Sequence, residues 1–436
     1  MISTATGPPP RGAAACVRAA CGILLLLLAV GSAAAQSVER QVPADYVQPP
    51  PHPNGYWFPD FPDNFLEAQN IKAKYFTIDW GLAFIGDYTL FQQNPASVAQ
   101  VGEQNTGFAL RDFRLMGHGW FQLFVKWTYL AAVEYNGFER QAGDPIWSVT
   151  DLWVATKVGP LFQLKFGKQK ESFVYEVVGD AANLQQDERF LSPFFTTRNV
   201  GVSLSNTFLD EHGTWTLGWF NDFWTNGQAF TNSGNDFAGR LTFLPIYDRD
   251  GTHYLHLAVS GRYHQGDDDA LRYRGQPQSF QATSYVDTGT FIADHSWSMG
   301  FEGLYADGPL QVSAEYVKSW VPSDRLGNPS FYGYYGIATW TFTGIPRPYD
   351  REVAYARRPP VQGHYLGALE VFARYGRVNL NSGSIQGGAM NEWYGGLNWY
   401  ATARWKLGFG YGNVDLERFG VRGRTNIFLW RLQWIH

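Results

Sequence analysis

Basic side chains are concentrated in and just before the polar stretch "FGKQKESFVYEVVGDAANLQQDERFLSPFFTTRN". This stretch contains Lys168, Lys170, Arg189 and Arg198, and Lys165 precedes it. Ammonium and guanidinium groups bind oxyanions through charge-assisted hydrogen bonds, and in a pore such binding must be weak enough for release. Because the stretch also contains apolar residues, part of it can pack inside the fold, and we predict that these five cations bind anions, lining the constriction if the fold encloses a pore. The alternative is an ordinary external loop.

Histidines offer the other candidate chemistry. The segment "HYLHLAVSGRYH" contains His253, His256 and His264, but alternation along an extended chain places His253 on the opposite face from the other two. No serine motif accompanies them, and hydrolysis requires a nucleophile and a base within hydrogen-bond reach. We therefore predict neither an enzyme nor a cofactor, although a barrel-shaped outer-membrane enzyme stays as the alternative.

Residues 1–36 have the pattern of an export signal. Arg11 and Arg18 precede the apolar run "GILLLLLAVG", and "SAAAQ" offers small residues for cleavage. The run is about ten residues long, whereas a membrane-spanning helix needs about twenty. Cys16 and Cys21 both lie within this signal. The exported chain would therefore fold without disulfides.

Charge and composition exclude several classes of protein. The formal net charge is −5, which argues against a protein that coats nucleic acid, and we predict no nucleic-acid partner. Mean hydropathy is −0.26, and outside the signal no segment is long and apolar enough for a transmembrane helix. Aromatic residues nevertheless make up 17% of the chain and glycines number 47. This composition is compatible with a membrane β-barrel, in which only alternate residues of each strand meet lipid.

The cations must be positioned by strands, and the sequence contains segments in which apolar and polar residues alternate. Such segments recur about sixteen times across residues 73–436, as an outer-membrane barrel requires. Residues 37–72 are rich in proline and include "QPPPHPNGYWFPDFPD". We interpret them as a periplasmic extension, because prolines block regular structure. A structural role, in which this segment tethers the envelope, is an alternative function for the protein.

Connections between the segments alternate in length. Short ones such as "VGPL" and "LDEHG" lie between longer polar ones at 86–107, 136–150 and 264–295. This alternation is typical of periplasmic turns and external loops. One connection, "GIPRPYDREVAYARRPPVQG", is long where a short turn is expected. We predict an all-β, transmembrane antiparallel β-barrel of about 16 strands in the outer membrane of a Gram-negative-type bacterium, surrounded by membrane lipids and lipopolysaccharide.

Alternation also assigns the two faces of each strand. In "NWYATARWKLGFGYG", Trp405, Leu407, Phe409 and Tyr411 form the lipid face. The predicted basic residues of the lumen are Arg114, Lys126, Arg240, Arg262, Arg374, Arg404, Lys406 and Arg431. Either they pair with acids across a hydrated wall, or a subset forms a track for anions.

A second charged segment, "DDDALRYRG", contains three acids beside Arg272 and Arg274. We predict that it is a solvated outer loop. A contact with Ca²⁺ or with lipopolysaccharide is the alternative.

Several stretches, taken in order, resemble the phosphate-selective porin O and P family over about residues 72–436. They are "LRDFRLMGHGWFQLF", "LKFGKQKESF", "FFTTRNVGVSL", "SYVDTG", "ATWTFTGIPRPYDR", "ALEVFARYGRVNLN" and "GGLNWYATARWKLGFGYG". The resemblance implies a homotrimeric channel for small anions such as phosphate, with a loop-lined constriction. The family also carries a similar "TG…RPY" segment in the connection that is unexpectedly long here, so the resemblance accounts for that length.

The chain departs from the family in two respects. His436 stands where the signal read by the barrel-assembly machinery in the C-terminal strand usually has a terminal Phe. Long arginine runs are absent from the sequence outside "DREVAYARR" and the cluster of Arg418, Arg422 and Arg424. A general, non-selective porin is therefore the alternative to a phosphate-preferring one.

Overall fold

The computed structural model describes residues 70–135, 146–221, 234–248, 250–343, 346–361 and 366–436. The predicted export signal and nearly all of the predicted proline-rich extension lie outside the described residues. Only the end of that extension is described, where Ile71–Lys72 pairs with the first long strand. Among the described residues, no helix has the length and apolarity needed to cross a membrane.

Sixteen long strands of the described chain form one closed antiparallel sheet, as predicted. They are β1 (Thr77–Gln93), β2 (Gly107–Leu123), β3 (Val125–Tyr135), β4 (Trp147–Val158), β5 (Phe162–Lys170), β6 (Arg198–Phe208), β7 (Gly213–Asn221), β8 (Asn235–Tyr247), β9 (His253–Gln265), β10 (His295–Asp307), β11 (Leu310–Trp320), β12 (Ser330–Thr341), β13 (Ala368–Ser382), β14 (Ile385–Tyr400), β15 (Trp405–Arg418) and β16 (Val421–Ile435). Consecutive strands pair along the chain. The sheet closes where β16 pairs with β1, from Ala83 opposite Ile435 to Gln93 opposite Thr425.

Short elements decorate the ends of the barrel. Helix α1 (Pro95–Val101) follows β1, and its N-cap Asn94 accepts a 2.9 Å hydrogen bond from the Ser97 amide. Helix α2 is Tyr175–Val178. The 3₁₀ turns are Ala181–Asn183, Ser192–Phe194, Asp267–Asp269 and Asp324–Leu326. Paired two-residue strands are Ala270–Leu271 with Phe291–Ile292, Arg274–Gly275 with Val286–Asp287, and Tyr349–Asp350 with Tyr355–Ala356.

The connections confirm the predicted alternation for most of the barrel. Residues 94–106, 171–197 and 266–294 lie at one end, which is the external end, and brief turns lie at the other. The pattern reverses near the C-terminus. There the external connections β13–β14 and β15–β16 have only two residues each, while the connection 342–367 is long on the periplasmic side.

The two faces of the strands follow the alternation. In β15, Phe409 and Tyr411 are about two-fifths exposed on the outer surface, whereas Lys406 is fully buried inside. One predicted boundary was wrong. Strand β1 continues to Gln93 rather than ending at residue 85, because Asp87 and Thr89 are buried against interior partners.

Much of the lumen is filled by an apolar core. It combines inward side chains of the wall with parts of residues 171–197, 266–294 and 346–361. The prediction of a solvated loop at "DDDALRYRG" was wrong in part. Arg272 is exposed and pairs with Asp287, but Leu271 and Tyr273 lie in this core, where the Tyr273 ring is 4.9 Å from that of Phe331.

Gly167 in β5 offers a test of the barrel geometry. Its φ is +122°, and a Cβ there would lie 2.2 Å from the Leu152 carbonyl oxygen. We expect Gly167→Ala to destabilise the barrel by about 1–3 kcal/mol, because side chains rarely adopt this backbone conformation. Urea unfolding followed by gel mobility measures the change. Gly303→Ala is the control, since a Cβ at Gly303 meets nothing within 4 Å. Equal stability of the two variants would contradict the prediction.

Candidate functional site

Residues 171–197, between β5 and β6, fold into the barrel and are called the constriction loop below. Its Phe173, Val174, Phe190 and Leu191 are fully buried. The apolar residues of the predicted stretch therefore pack inside, and the alternative of an ordinary external loop was wrong.

Glycines on the inner wall make room for the constriction loop. A Cβ at Gly376 would lie 2.5 Å from the Phe190 ring, and one at Gly333 would lie 2.8 Å from Leu191 and from Phe194. Larger residues at these two positions would collide with the loop. The inner wall is thus shaped to hold it.

Glu176 closes the constriction loop on itself. Its carboxylate accepts hydrogen bonds from the backbone amides of Phe190 and Leu191, at 3.1 and 2.8 Å, and from the Gln186 side chain at 3.2 Å. The Glu176 amide in turn donates to the wall residue Glu315 at 3.1 Å. One buried carboxylate therefore joins the start of the loop to its return segment.

Replacing Glu176 by glutamine tests this closure. We expect the loop to lose about 1.5–3 kcal/mol of anchoring, because a charged acceptor of buried N–H donors becomes a neutral amide. Single-channel recordings would then show a larger or more variable conductance than those of the unmodified protein. The control is Asp294→Asn, at an external carboxylate that is 62% exposed. An unchanged recording for Glu176→Gln would rule out this role for the carboxylate.

A second anchor ties the loop to the opposite end of the chain. The guanidinium of Arg431 on β16 donates to both carboxylate oxygens of Asp87 on β1 at 2.7 Å, and to the Asp187 carbonyl at 2.9 Å. The Asp187 carboxylate lies 3.2 Å from the same guanidinium and accepts a hydrogen bond from the Tyr394 hydroxyl. The loop is thus pinned where the barrel closes.

Three of the five predicted constriction cations meet at the loop's edge. Lys170 donates to the Asp180 carboxylate at 2.6 Å, and its Nζ lies 3.2 Å from the Gly179 carbonyl oxygen. Arg189 donates to the same carbonyl at 2.9 Å. Arg198 at the start of β6 pairs with Asp151 at 2.8 Å.

The pKa of Arg189 reflects its burial and the other cations close to it. Burial, together with the neighbouring guanidinium groups of Arg111 and Arg198, lowers the pKa of Arg189 to about 10. Arg189 is therefore still charged at neutral pH. Crowded cations of this kind are a favourable environment for an anion.

The other two predicted constriction cations lie along β5. Lys165 stacks over the Trp153 ring, with its Nζ 4.5 Å from the ring centroid. Lys168 is opposite Leu152, which is 51% exposed on the outer surface, so alternation places Lys168 on the outer face of β5 and not beside Lys165. All three lysines lie on a strand rather than in the loop, because β5 extends to Lys170.

Half of the predicted basic residues of the lumen have acidic partners within 3.0 Å. These pairs, with N–O distances between 2.7 and 3.0 Å, are Arg240–Glu302, Arg262–Glu171, Arg262–Asp236, Arg431–Asp87 and Arg114–Asp112. Their geometry agrees with the interpretation of a wall whose charges pair.

The other four predicted basic residues of the lumen make different contacts. Arg374 lies between the rings of Phe190 and Tyr335 and 3.7 Å from the Glu176 carboxylate. Lys406 donates to the Leu184 carbonyl at 3.3 Å. Lys126 stacks over Trp120 near the periplasmic end. Arg404 lies in the turn before β15, where its Nε donates to His436.

Two groups of the site were missed from the sequence. Arg111 binds Glu188 of the constriction loop at 2.5 Å, yet simple alternation from Asp112 would point it at lipid. A register shift between β1 and β2 leaves Arg111 as an extra residue there. Bulges of this kind leave no signal in the spacing of apolar residues.

The second missed group is on the long periplasmic connection. Arg347 is 1% exposed and donates to both oxygens of Glu370 at 2.7 and 2.8 Å. Arg240 reaches the Ala354 carbonyl at 2.8 Å. Residues 346–361 thus enter the barrel from below, which accounts for a long connection in this place.

A closed sixteen-stranded antiparallel barrel, narrowed by an inserted external loop, defines an outer-membrane barrel of the porin class. Residues 86–434 match the phosphate-selective porin O and P family. The chain belongs to this family.

Known proteins are similar to this chain in sequence or in fold. Porin O of Pseudomonas aeruginosa is 25% identical over 219 residues, which is 43% of this chain and 49% of that protein. The chain spans 63% and 49% of the lengths of the two curated relatives it matches. Among solved structures, the anion-selective porin from Comamonas acidovorans has a TM-score of 0.53 at 11% identity, covering 83% of this chain and 100% of that one. The trimer form of OmpT from Vibrio cholerae has a TM-score of 0.54 at 10% identity, with the same coverage.

Proposed function

We propose that the protein is a passive diffusion channel of the outer membrane that prefers small anions, phosphate among them. The observation that carries this proposal is the meeting of Lys170, Arg189 and Arg198 at the edge of the constriction loop. Lys165, on the inner face of β5, extends this group along the strand. The names of Porin O and of the anion-selective porin support it.

Electrostatics alone would select the solute. The basic groups replace part of the hydration shell of an oxyanion through charge-assisted hydrogen bonds. Asp151 and Asp180 already hold Arg198 and Lys170, so the bound anion competes with carboxylates. The anion is therefore held weakly and can leave toward the periplasm.

Catalysis has no part in this proposal. His256 contacts the Tyr349 hydroxyl and Glu302, while the nearer partner of His264 is Asp236 at 2.7 Å. His256 is thus held by the barrel wall and the periplasmic connection, and His264 is held by the wall. We also propose a homotrimer, on the strength of the OmpT trimer, and native electrophoresis with cross-linking tests it.

Reversal potentials in planar bilayers test the anion preference. Purified protein in a gradient of potassium chloride, and then of potassium phosphate, is expected to give potentials of the sign for anion flow. Cation preference would refute the proposal. A potential near zero would favour the alternative of a general porin, which the pairing of Arg198 with Asp151 and of Lys170 with Asp180 makes the second candidate.

A further inference from the structure

A row of polar side chains lies on the outer surface at the external end of β11–β16, and we call it the outer polar band. Its charged members are Lys318, Arg377, Asp415, Glu417, Arg422 and Arg424, and Asn391 lies among them. Alternation shows which way they face. Val414 and Leu416 are buried in the interior, so Asp415 between them faces outward. Val378 is buried in the same way beside Arg377.

Strand register makes the band continuous. Arg424 is paired with Asp415, Asp415 with Asn391, and Asn391 with Arg377, so that one row crosses four strands. Arg377 donates to the Asn391 side chain at 2.8 Å, and Arg424 donates to Asp415 at 3.1 Å. Such a row holds its polar groups in a fixed order along the surface.

The band lies just above an aromatic zone. Tyr375 and Trp393 follow Arg377 and Asn391 by two residues toward the membrane on the same faces, with their rings 4.7 Å apart. Two residues of a strand span about 7 Å. Because tyrosine and tryptophan mark the membrane interface, the band lies at the level of the lipid headgroups.

Cations exceed acids in the band. The side chains of Arg422 and Arg424 are 68% and 58% exposed, and both pair with the single carboxylate of Asp415. Glu417, opposite Arg422, is the other acid of this region. Four cations therefore face two carboxylates.

The neighbouring strands β7–β10 lack the cations of the outer polar band. On β7–β10, the outward residues at the same end include Trp219, Phe237, Tyr263 and Trp297, and the described outward residues of these strands include neither lysine nor arginine. If the cations served only to keep the external end soluble, they would also be expected on β7–β10. This uneven distribution points to a local ligand.

We infer that the outer polar band binds the phosphate groups of lipopolysaccharide in the outer leaflet. Guanidinium groups of Arg377, Arg422 and Arg424 would donate to the phosphate oxygens, and neighbouring asparagines such as Asn391 would contact the sugars. This ligand is chosen because the band is cationic, outward-facing and at headgroup level. The inference is independent of what passes through the pore.

The test measures binding of lipopolysaccharide to the full protein in detergent by native mass spectrometry. The triple variant Arg377→Gln, Arg422→Gln, Arg424→Gln is expected to bind at least about tenfold more weakly, since each charge-assisted bond contributes appreciably. A charge-preserving variant with lysine at the same positions should retain most of the binding. The control variant is Lys72→Gln, Lys74→Gln, Lys157→Gln, which removes three cations at the periplasmic end.

Two further arms identify the ligand. Dephosphorylated lipopolysaccharide should bind as weakly to the unmodified protein as the intact lipid binds to the triple variant. Inorganic phosphate at millimolar concentration should not displace the lipid, whereas displacement would show a site for free phosphate and overturn the inference. It would also be overturned if the triple variant kept full lipid binding, or if it lost only its trimeric state, because the band would then be a contact between copies.

Discussion

Replacement of Arg431 by methionine is expected to destabilise the protein by about 3–5 kcal/mol, the largest effect of any single substitution proposed for this barrel. The guanidinium is 3% exposed and serves Asp87 and Asp187 together. Methionine fills a similar volume but leaves both carboxylates buried without their cation. Urea unfolding followed by gel mobility gives the loss of stability.

Arg431→Met should also alter the pore, because the same residue pins the constriction loop to the wall. Single-channel conductance is expected to rise as the loop detaches at Asp187. The matched control is Arg422→Met on the same strand, where the side chain is 68% exposed and a change within about 0.5 kcal/mol is expected. Similar losses for the two variants would mean that the buried network contributes nothing specific.

Reversal of charge at Arg189 and Arg198 is expected to change the sign of the reversal potential. Two glutamates would replace two cations at the edge of the constriction loop, beside Asp151 and Glu188. Inside a narrow, partly dehydrated passage such a change acts far more strongly than in bulk water. Planar-bilayer recordings in a salt gradient measure the potential.

The control for that variant carries the same change of charge outside the constriction. Arg325→Glu with Lys74→Glu alters the external connection after β11 and the periplasmic end, and both side chains are exposed. This control should keep the sign of the unmodified channel. If the Arg189 and Arg198 double variant also keeps it, these two residues do not set the selectivity.

The alternation of apolar and polar residues predicted most of the fold. It assigned β15 its outer face of Phe409 and Tyr411 and its buried Lys406, because a charge facing lipid is costly and the register is therefore strongly constrained. The alternating lengths of the early connections likewise located the external end. The predicted gathering of Lys170, Arg189 and Arg198 rested on simple proximity in one connection.

Other parts of the site depend on long-range packing, which local patterns do not record. Arg347 lies in a connection between strands, yet it is buried against Glu370. Arg111 turns inward only because the register shifts beside it. The inner-wall glycines Gly333 and Gly376 seat the constriction loop, and nothing in their local sequence indicates this role. Each of these depends on a partner distant in the sequence.

The pairing of β16 with β1 has a consequence for how the protein forms. Residues 83 and 435 are neighbours in the sheet, so both edges of the growing sheet stay open until the final strand arrives. Open edges leave amide and carbonyl groups unsatisfied, and hydrocarbon tolerates them poorly. An open half-cylinder is therefore costly in hydrocarbon, and the closing pair joins the two ends of the barrel sequence, a long-range contact of the kind that slows folding.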